Sequence, residues 1–300
     1  MRIKFFFEKL LVTVIMKKNI VPRDLNVDLH MHSCASDGQL TPSELVIRAE
    51  KNKVDILALT DHDSLKGIPE AMESVSGKLM HFVTGVEISV TWANTTIHIL
   101  GLNFDPFNPN LNEAMNVVKK IRFKRAQEID KALMTNGLPS MLEEALDNAG
   151  SSGQIGRTHF ARVIKSKKIC PTIHDVFKSY LVPGTPGFVK HTWMSLTKAL
   201  NLISEAGGLA VLAHPARYKL SPTELQALLD DFSYAGGSAI EVATGSHSKS
   251  DIQKFQTIAN KNNFEASRGS DFHSPTESRF DVGNAPSLPI GSKPIWSRWI

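Results

Sequence analysis

Three hundred residues, 42% of them apolar and 21% charged, suffice for a sizeable buried core and describe neither a disordered nor a collagenous chain. The net charge of +4 gives no basis for sequence-specific nucleic-acid binding, yet it suits an anionic substrate. Two cysteines, Cys34 and Cys170, provide no disulfide framework and fit a reducing compartment, so the expected location is the cytoplasm.

The chain opens with Phe5-Phe-Phe7 and the run Leu10 to Ile15, interrupted by Glu8 and Lys9. This falls short of the ~20 apolar residues that a spanning helix needs, and no small-residue cleavage site precedes Lys17. Residues 1–20 are therefore expected to be a non-native or flexible extension, with Met16-Lys-Lys as a natural start. A peripheral membrane anchor is the alternative.

A strand from Val27 leads into Asp28-Leu-His-Met-His-Ser-Cys-Ala-Ser-Asp37, where His30 and His32 share a face if the strand persists. Imidazole nitrogens with a carboxylate such as Asp37 suit a borderline divalent cation. Thr41-Pro-Ser-Glu44 then opens a helix with a capping threonine, proline in the first turn and glutamate three residues on. Val54 to Thr60 reads as a buried parallel strand ending in Thr60-Asp-His-Asp63, and Ile68 to Ser76 as a short helix. His81 to Glu87 is the next strand, and the few residues from Trp92 to Thr95 allow only a hairpin to Thr96-Ile-His-Ile-Leu-Gly101. His98 lies inward there while its flanking isoleucines pack outward, or the reverse.

From Pro106 the pattern turns helical: Ala114 to Asn136, Met141 to Ala149, Arg157 to Ser166 and Ile173 to Tyr180. Residues 106–190 hold 13 Lys/Arg against 7 Asp/Glu, which marks a basic helical insertion. The β/α pattern resumes with a helix at Leu196 to Glu205, a strand at Leu209 to Ala213 ending in His214-Pro-Ala-Arg217, and a helix opened by Ser221-Pro-Thr-Glu224. A strand at Ala239 to Val242, a helix at Ser250 to Asn260 and a strand from Phe264 to Gly269 follow, the last ending in Ser270-Asp-Phe-His273. The Pro/Gly-rich tail from Phe280 is expected to pack against the barrel. Residues 21–105 and 191–300 would form the α/β body.

Six of the eleven histidines fall at strand ends, namely His30, His32, His62, His98, His214 and His273. Loops at that edge of a parallel β/α fold converge on one site. With Asp37, Glu87 and Asp271 they make nine candidate ligands, too many for one structural zinc.

The set His-x-His, Thr-Asp-His-Asp, Gly-Val-Glu-Ile-Ser, His-Ile-Leu-Gly, Ala-His-Pro and Gly-Ser-Asp-Phe-His resembles the polymerase-and-histidinol-phosphatase (PHP) superfamily. Ser36-Asp-Gly38, Arg157-Thr-His-Phe-Ala-Arg162 and His214-Pro-Ala-Arg-Tyr218 are similar to its branch of nucleoside 3',5'-bisphosphate phosphatases and 5'-to-3' exoribonucleases. The resemblance covers about residues 24–290. It implies an α/β fold, a distorted seven-stranded (β/α)7 barrel with an inserted helical subdomain and a centre of three divalent ions. Carried over by motif, one ion takes His30, His32, Glu87 and Asp271; a second takes Asp37, His62 and His273; a third takes Glu87, His98 and His214. Mixed nitrogen and oxygen ligands favour manganese, iron or zinc over a magnesium or calcium cage, with manganese the first choice.

The expected activity is hydrolysis of the 3'-phosphate of nucleoside 3',5'-bisphosphates, 5'-to-3' attack on 5'-phosphorylated short RNA, or both, through a hydroxide shared by two ions. Arg217 is the leading candidate for a phosphate clamp. Arg157, His159 and His247 are candidate substrate contacts. Asp61, Asp63 and Glu241 read as supports for the ligands or as packing residues. A histidinol-phosphate or other small-molecule phosphatase is the nearest alternative, and a non-catalytic metal-stabilised scaffold is the alternative from a different class.

Overall fold

The structure, a computed structural model, describes residues 25–150 and 153–300, so the expected N-terminal extension lies outside the described residues. Eight strands are described: β1 (Val27–Asp28), β2 (Ile56–Leu59), β3 (His81–Trp92), β4 (Thr95–Leu102), β5 (Met194–Ser195), β6 (Leu209–Leu212), β7 (Ala239–Thr244) and β8 (Glu265–Gly269). The helices are α1 (Pro42–Lys51), α2 (Ile68–Val75), α3 (Pro109–Thr135), α4 (Leu142–Ala149), α5 (Arg157–Ser166), α6 (Ile173–Val176), α7 (Leu196–Glu205), α8 (Pro222–Tyr234) and α9 (Lys249–Lys261). None of them is long and apolar enough to cross a membrane.

Local chemistry sets the helix starts. Thr41 and Glu44 exchange the two hydrogen bonds of a capping box, as do Ser221 and Glu224, and proline occupies the first turn in both helices. Helix α3 begins five residues before the predicted Ala114, because Asn108 accepts a hydrogen bond from the Leu111 N–H and Pro109 occupies the first turn. The predicted helix at Ile173 divides into α6 and a π-helical turn, Phe177–Leu181, ahead of Pro183.

Seven strands pair in the order β1-β2-β3-β4-β6-β7-β8, with β5 alongside β3. The pairs β3·β4 and β4·β6 are antiparallel, and the other pairs are parallel. The path nearly closes on itself: the Leu29 N–H donates to the Arg268 carbonyl at 3.1 Å, Asp271 to His30 at 2.8 Å and His32 to Phe272 at 2.8 Å. Gly269 makes this approach possible, since a Cβ there would lie 2.6 Å from the His30 nitrogen.

Alternation sorts the barrel. Val27, Leu29, Ile56, Ala58, Val83, Leu100, Leu102 and Val211 pack inside, where Ile295 and Trp296 of the tail close the far end. Ile88, Val90, Ile97, Ile99 and Leu212 pack outward under α7 and α8. By the same parity Glu87 and His98 continue the inward rows of β3 and β4. At the end of β1 the alternation breaks: Met31 joins the outer cluster with Leu45 and Val46 of α1, which turns His30 and His32 inward.

Helix α3 ties the insertion to this body. Its first half contributes Leu111 and Met115 to the outer barrel core, and its second half contributes Ala126, Ile129 and Leu133 to a separate core with Phe160 and Ile164 of α5. Between the halves, Arg122 pairs with buried Asp63, donates to Ser89 Oγ at 3.1 Å and lies 5.1 Å from the centre of the Trp193 ring. Removing one partner of such a buried pair strands the other charge at a cost of about 3–5 kcal/mol. Arg122→Met should therefore lower the unfolding free energy by about that amount in chemical denaturation, and adding Asp63→Asn should recover part of it. A loss under ~1 kcal/mol would mean that the pair is not the tie it resembles.

Candidate metal centre

Each strand end brings its side chain to one mouth of the barrel. His30 and His32 come from the segment after β1, His62 from the loop after β2, Glu87 from β3, His98 from β4, His214 from the turn after β6, and Asp271 and His273 from the loop after β8. Asp37 is delivered by the turn that follows His32. His30, His32 and Glu87 are fully buried. Three residues that aim this constellation, Asp63, His214 and Asp271, have positive φ values of 47°, 28° and 54°.

Glu87 stands at the centre. Its Oε2 lies 3.4 Å from His30 Nε2, 3.3 Å from His32 Nε2 and 2.9 Å from His62 Nδ1. Its Oε1 lies 2.8 Å from His98 Nδ1 and 2.9 Å from His214 Nε2. Burial pushes this carboxyl up, but His62, His98 and His30 outweigh burial and hold it well below the usual carboxylate range. Burial likewise opposes ionisation of Asp37 and Asp271 and is likewise overcome, chiefly by His273 and His30 respectively. His32 goes the other way: burial, then repulsion from His273 and His62, lowers it to about 3.

The donor set fits divalent cations. Asp271 Oδ1 lies 3.6 Å from His30 Nε2 and 3.4 Å from His32 Nε2, and Glu87 Oε2 is 3.4 and 3.3 Å from the same two nitrogens. Ligands ~2.1 Å from a tetrahedral cation stand ~3.4 Å from one another, so these four atoms already have the spacing. His30 Nε2, both ring nitrogens of His32, Asp37 Oδ1, His62 Nδ1, Glu87 Oε2 and His214 Nδ1 are buried without a hydrogen-bond partner. Such a concentration of unmatched acceptors and donors is costly unless a cation gathers them. Further groups with ligand atoms within 4.8 Å of one another are His32, Asp37, His62 and His273; His30, Glu87 and His214; and His62, Glu87 and His98.

A second layer fixes the rings. Glu241 Oε1 lies 3.0 Å from His30 Nδ1, and its Oε2 accepts the His214 backbone N–H at 2.6 Å. One carboxylate thus orients one ring and the backbone that carries another. Asp61 accepts the Ser33 N–H at 2.7 Å and the Ser33 and Ser36 hydroxyls at 2.7 and 2.6 Å, while burial lifts it to about 6. Thr158 of α5 donates to Asp37 Oδ2 at 2.8 Å. Thr158 and Arg122 are contributions of the helical segment that motif reading missed. Glu241 carried a signal in its inward register two residues after Ala239.

Of the four expected substrate residues, the structure brings two to the mouth. Arg217 Nη1 donates to Asp271 Oδ2 at 2.9 Å with its side chain about half exposed. Arg157 donates to the Leu181 carbonyl at 3.0 Å, and burial followed by repulsion from Arg122 and Arg217 lowers its guanidinium. His159 is buried, and its Nδ1 accepts the Gly156 N–H at 3.0 Å, so it caps α5 instead of facing a substrate. His247 is also corrected. Its Nδ1 donates to the Val242 carbonyl at 2.9 Å and its Nε2 accepts the Ala216 N–H at 3.4 Å, which supports the turn bearing Arg217. Both ring nitrogens are spent on backbone.

Glu241→Gln cannot accept from both His30 and the His214 backbone, because an amide nitrogen would meet one of these donors. Its affinity for manganese, read by calorimetry, is expected to fall by about 10–100-fold with little change in secondary structure. Unchanged affinity would remove Glu241 from the supporting layer.

Residues 28–182 match the PHP domain. The chain is 42% identical over 271 residues to a 3',5'-nucleoside bisphosphate phosphatase of Chromobacterium violaceum, covering 90% of this chain and 95% of that one. It is 39% identical over 274 residues to the 5'-3' exoribonuclease Rnm of Escherichia coli, covering 91% and 93% respectively. Among solved structures, an amidohydrolase from Chromobacterium violaceum with bound sulfate and no metal is 42% identical, with a TM-score of 0.88 over 91% of this chain and 95% of that one. The barrel, its histidine-lined mouth and these similarities together place the chain in the PHP domain family.

Proposed function

We propose that the chain is a cytoplasmic metal-dependent phosphoesterase that cleaves the bond between phosphorus and O3' of a 5'-phosphorylated nucleotide. The observation that carries this reading is the set of four atoms, from His30, His32, Glu87 and Asp271, spaced as the ligands of one cation. Asp37, His62 and His273 would hold a second ion, and Glu87, His98 and His214 a third, with manganese favoured by the mixture of imidazole and carboxylate. Divalent ions so held supply hydroxide at neutral pH and countercharge for the departing oxygen.

The chain's own groups do the rest. Glu87, presenting an oxygen to each side, keeps the ions in register. Arg217, steadied by Asp271, takes phosphoryl oxygens with its planar fork, and Arg157 offers a second cation across the mouth. Hydroxide adds to phosphorus, the P–O3' bond breaks and O3' leaves as the hydroxyl. In a nucleoside 3',5'-bisphosphate this releases inorganic phosphate. In RNA it releases the first nucleotide and leaves a fresh 5'-phosphate on the remainder. One bond cleavage thus accounts for both activities named for the relatives, and it explains why a single centre would serve both.

The test is a manganese-supplemented panel of adenosine 3',5'-bisphosphate, a short 5'-phosphorylated RNA and histidinol phosphate, with phosphate and mononucleotide release read separately. Turnover of the first two is expected; turnover of histidinol phosphate alone would replace the nucleotide reading. Asp271→Asn should keep the fold and lower turnover by more than about 100-fold, since even supporting residues behind ligands are typically worth about 10–100-fold. A large loss of thermal stability with turnover per folded molecule retained would favour a structural metal instead.

Ion binding should also release protons. Burial works against a charge on His62, but Glu87 and Asp37 outweigh it and lift the cation-free imidazole to about 9. At pH 7 an incoming ion must displace that proton, so affinity rises with pH up to about 9. Calorimetry in two buffers of different ionisation enthalpy should give different apparent heats. Identical heats would contradict His62 as a ligand.

A further inference from the structure

Beside the metal centre, and separate from it, runs a groove of about 190 Å³. One wall is the loop Asp63 to Lys66, which follows His62 directly; the other is the first half of α3, which presents Asn112, Asn116 and Lys119. The spacings of four and three residues put these three side chains on one helix face. Gln154 forms the inner end, donating to the His62 and Asp63 carbonyls at 3.1 and 3.0 Å, so the groove abuts the loop that positions His62. At the rim stands Phe107, 71% exposed.

We propose that this groove binds the nucleotide on the 3' side of the bond being cut in single-stranded RNA. The inference rests on the nucleotide reading above and deepens it. When P–O3' breaks, the phosphate at the ions still carries the rest of the RNA through its O5', and that strand must leave the mouth along some surface. Lys66 and Lys119 approach each other closely at the groove, where contact with Lys66 lowers the Lys119 ammonium. Two like charges held side by side are relieved by a bridging phosphate. Phe107 offers a ring face to a base at the rim, as sequence-tolerant single-strand sites do, and the Asn112 and Asn116 amides can bond sugar or base edges. A groove this small is far too narrow for a duplex. The strand's course therefore also selects unpaired RNA.

A nucleoside bisphosphate has no nucleotide on that side and does not reach the groove, which makes the two substrates a control for one another. For Lys66→Ala/Lys119→Ala, KM for a 5'-phosphorylated hexanucleotide should rise about tenfold and the slope of log KM against log salt should fall by about 1.4, or ~0.7 per lost phosphate contact. The ratio of kcat/KM for hexanucleotide to that for adenosine 3',5'-bisphosphate should drop by the same factor. Phe107→Ala should weaken the hexanucleotide by at least about fivefold without changing the salt slope. An unchanged hexanucleotide KM, or equal losses on both substrates, would overturn the proposal.

If the parent enzyme turns over neither substrate, the functional reading fails, and the groove is still decided by binding. Fluorescence anisotropy of a 3'-labelled, 5'-phosphorylated hexanucleotide on Asp271→Asn enzyme should weaken on adding the lysine substitutions. No weakening there would also overturn it.

Discussion

One buried carboxylate governs this molecule. Glu87 faces five imidazoles at the closed mouth of a barrel, and neither the carboxylate nor the rings could stay there without charge compensation. The backbone has been bent to serve that meeting. His214 and Asp271 both take left-handed conformations just past their strands, and the strand bearing His30 and His32 breaks its alternation to turn both inward. Strain of this kind persists only where surrounding structure enforces it. Here the enforcement comes from Glu241 beneath two ligand segments and from Asp61 and Asp63 gripping the loops on either side.

The helical segment divides the labour with the barrel. The barrel supplies the ligands and would supply the same chemistry to any phosphoester that reached it. The segment between α3 and α6 adds what touches the substrate at a distance from the ions: Arg157 across the mouth, Thr158 on Asp37, and the α3 face along the neighbouring groove. Because Arg122 locks α3 to Asp63, one residue from His62, any strain in substrate binding along α3 is felt at a ligand loop. Binding and chemistry share a single rigid element.

Much of this could be read from the sequence because its signals are local. Capping boxes at Thr41 and Ser221, the hairpin forced by the short Trp92 to Thr95 connection, and the inward His98 between outward isoleucines all follow from neighbours within a few residues. The convergence of nine ligand-type residues followed from strand-end position and from the family motifs. What stayed hidden depends on partners distant in sequence. Arg122 meets Asp63 across 59 residues, Thr158 meets Asp37 across 121, and Glu241 meets His30 across 211. His159 and His247 mislead for the complementary reason: a histidine in a suggestive motif can spend its nitrogens on adjacent backbone, and composition alone does not reveal that.

Anomalous diffraction at the manganese edge from crystals of the reconstituted protein addresses the central claim most directly. The account predicts more than one peak at the barrel mouth, with Glu87 Oε1 and Oε2 each ~2.0–2.2 Å from a different ion. A single peak, or peaks that leave Glu87 without an ion, would contradict it.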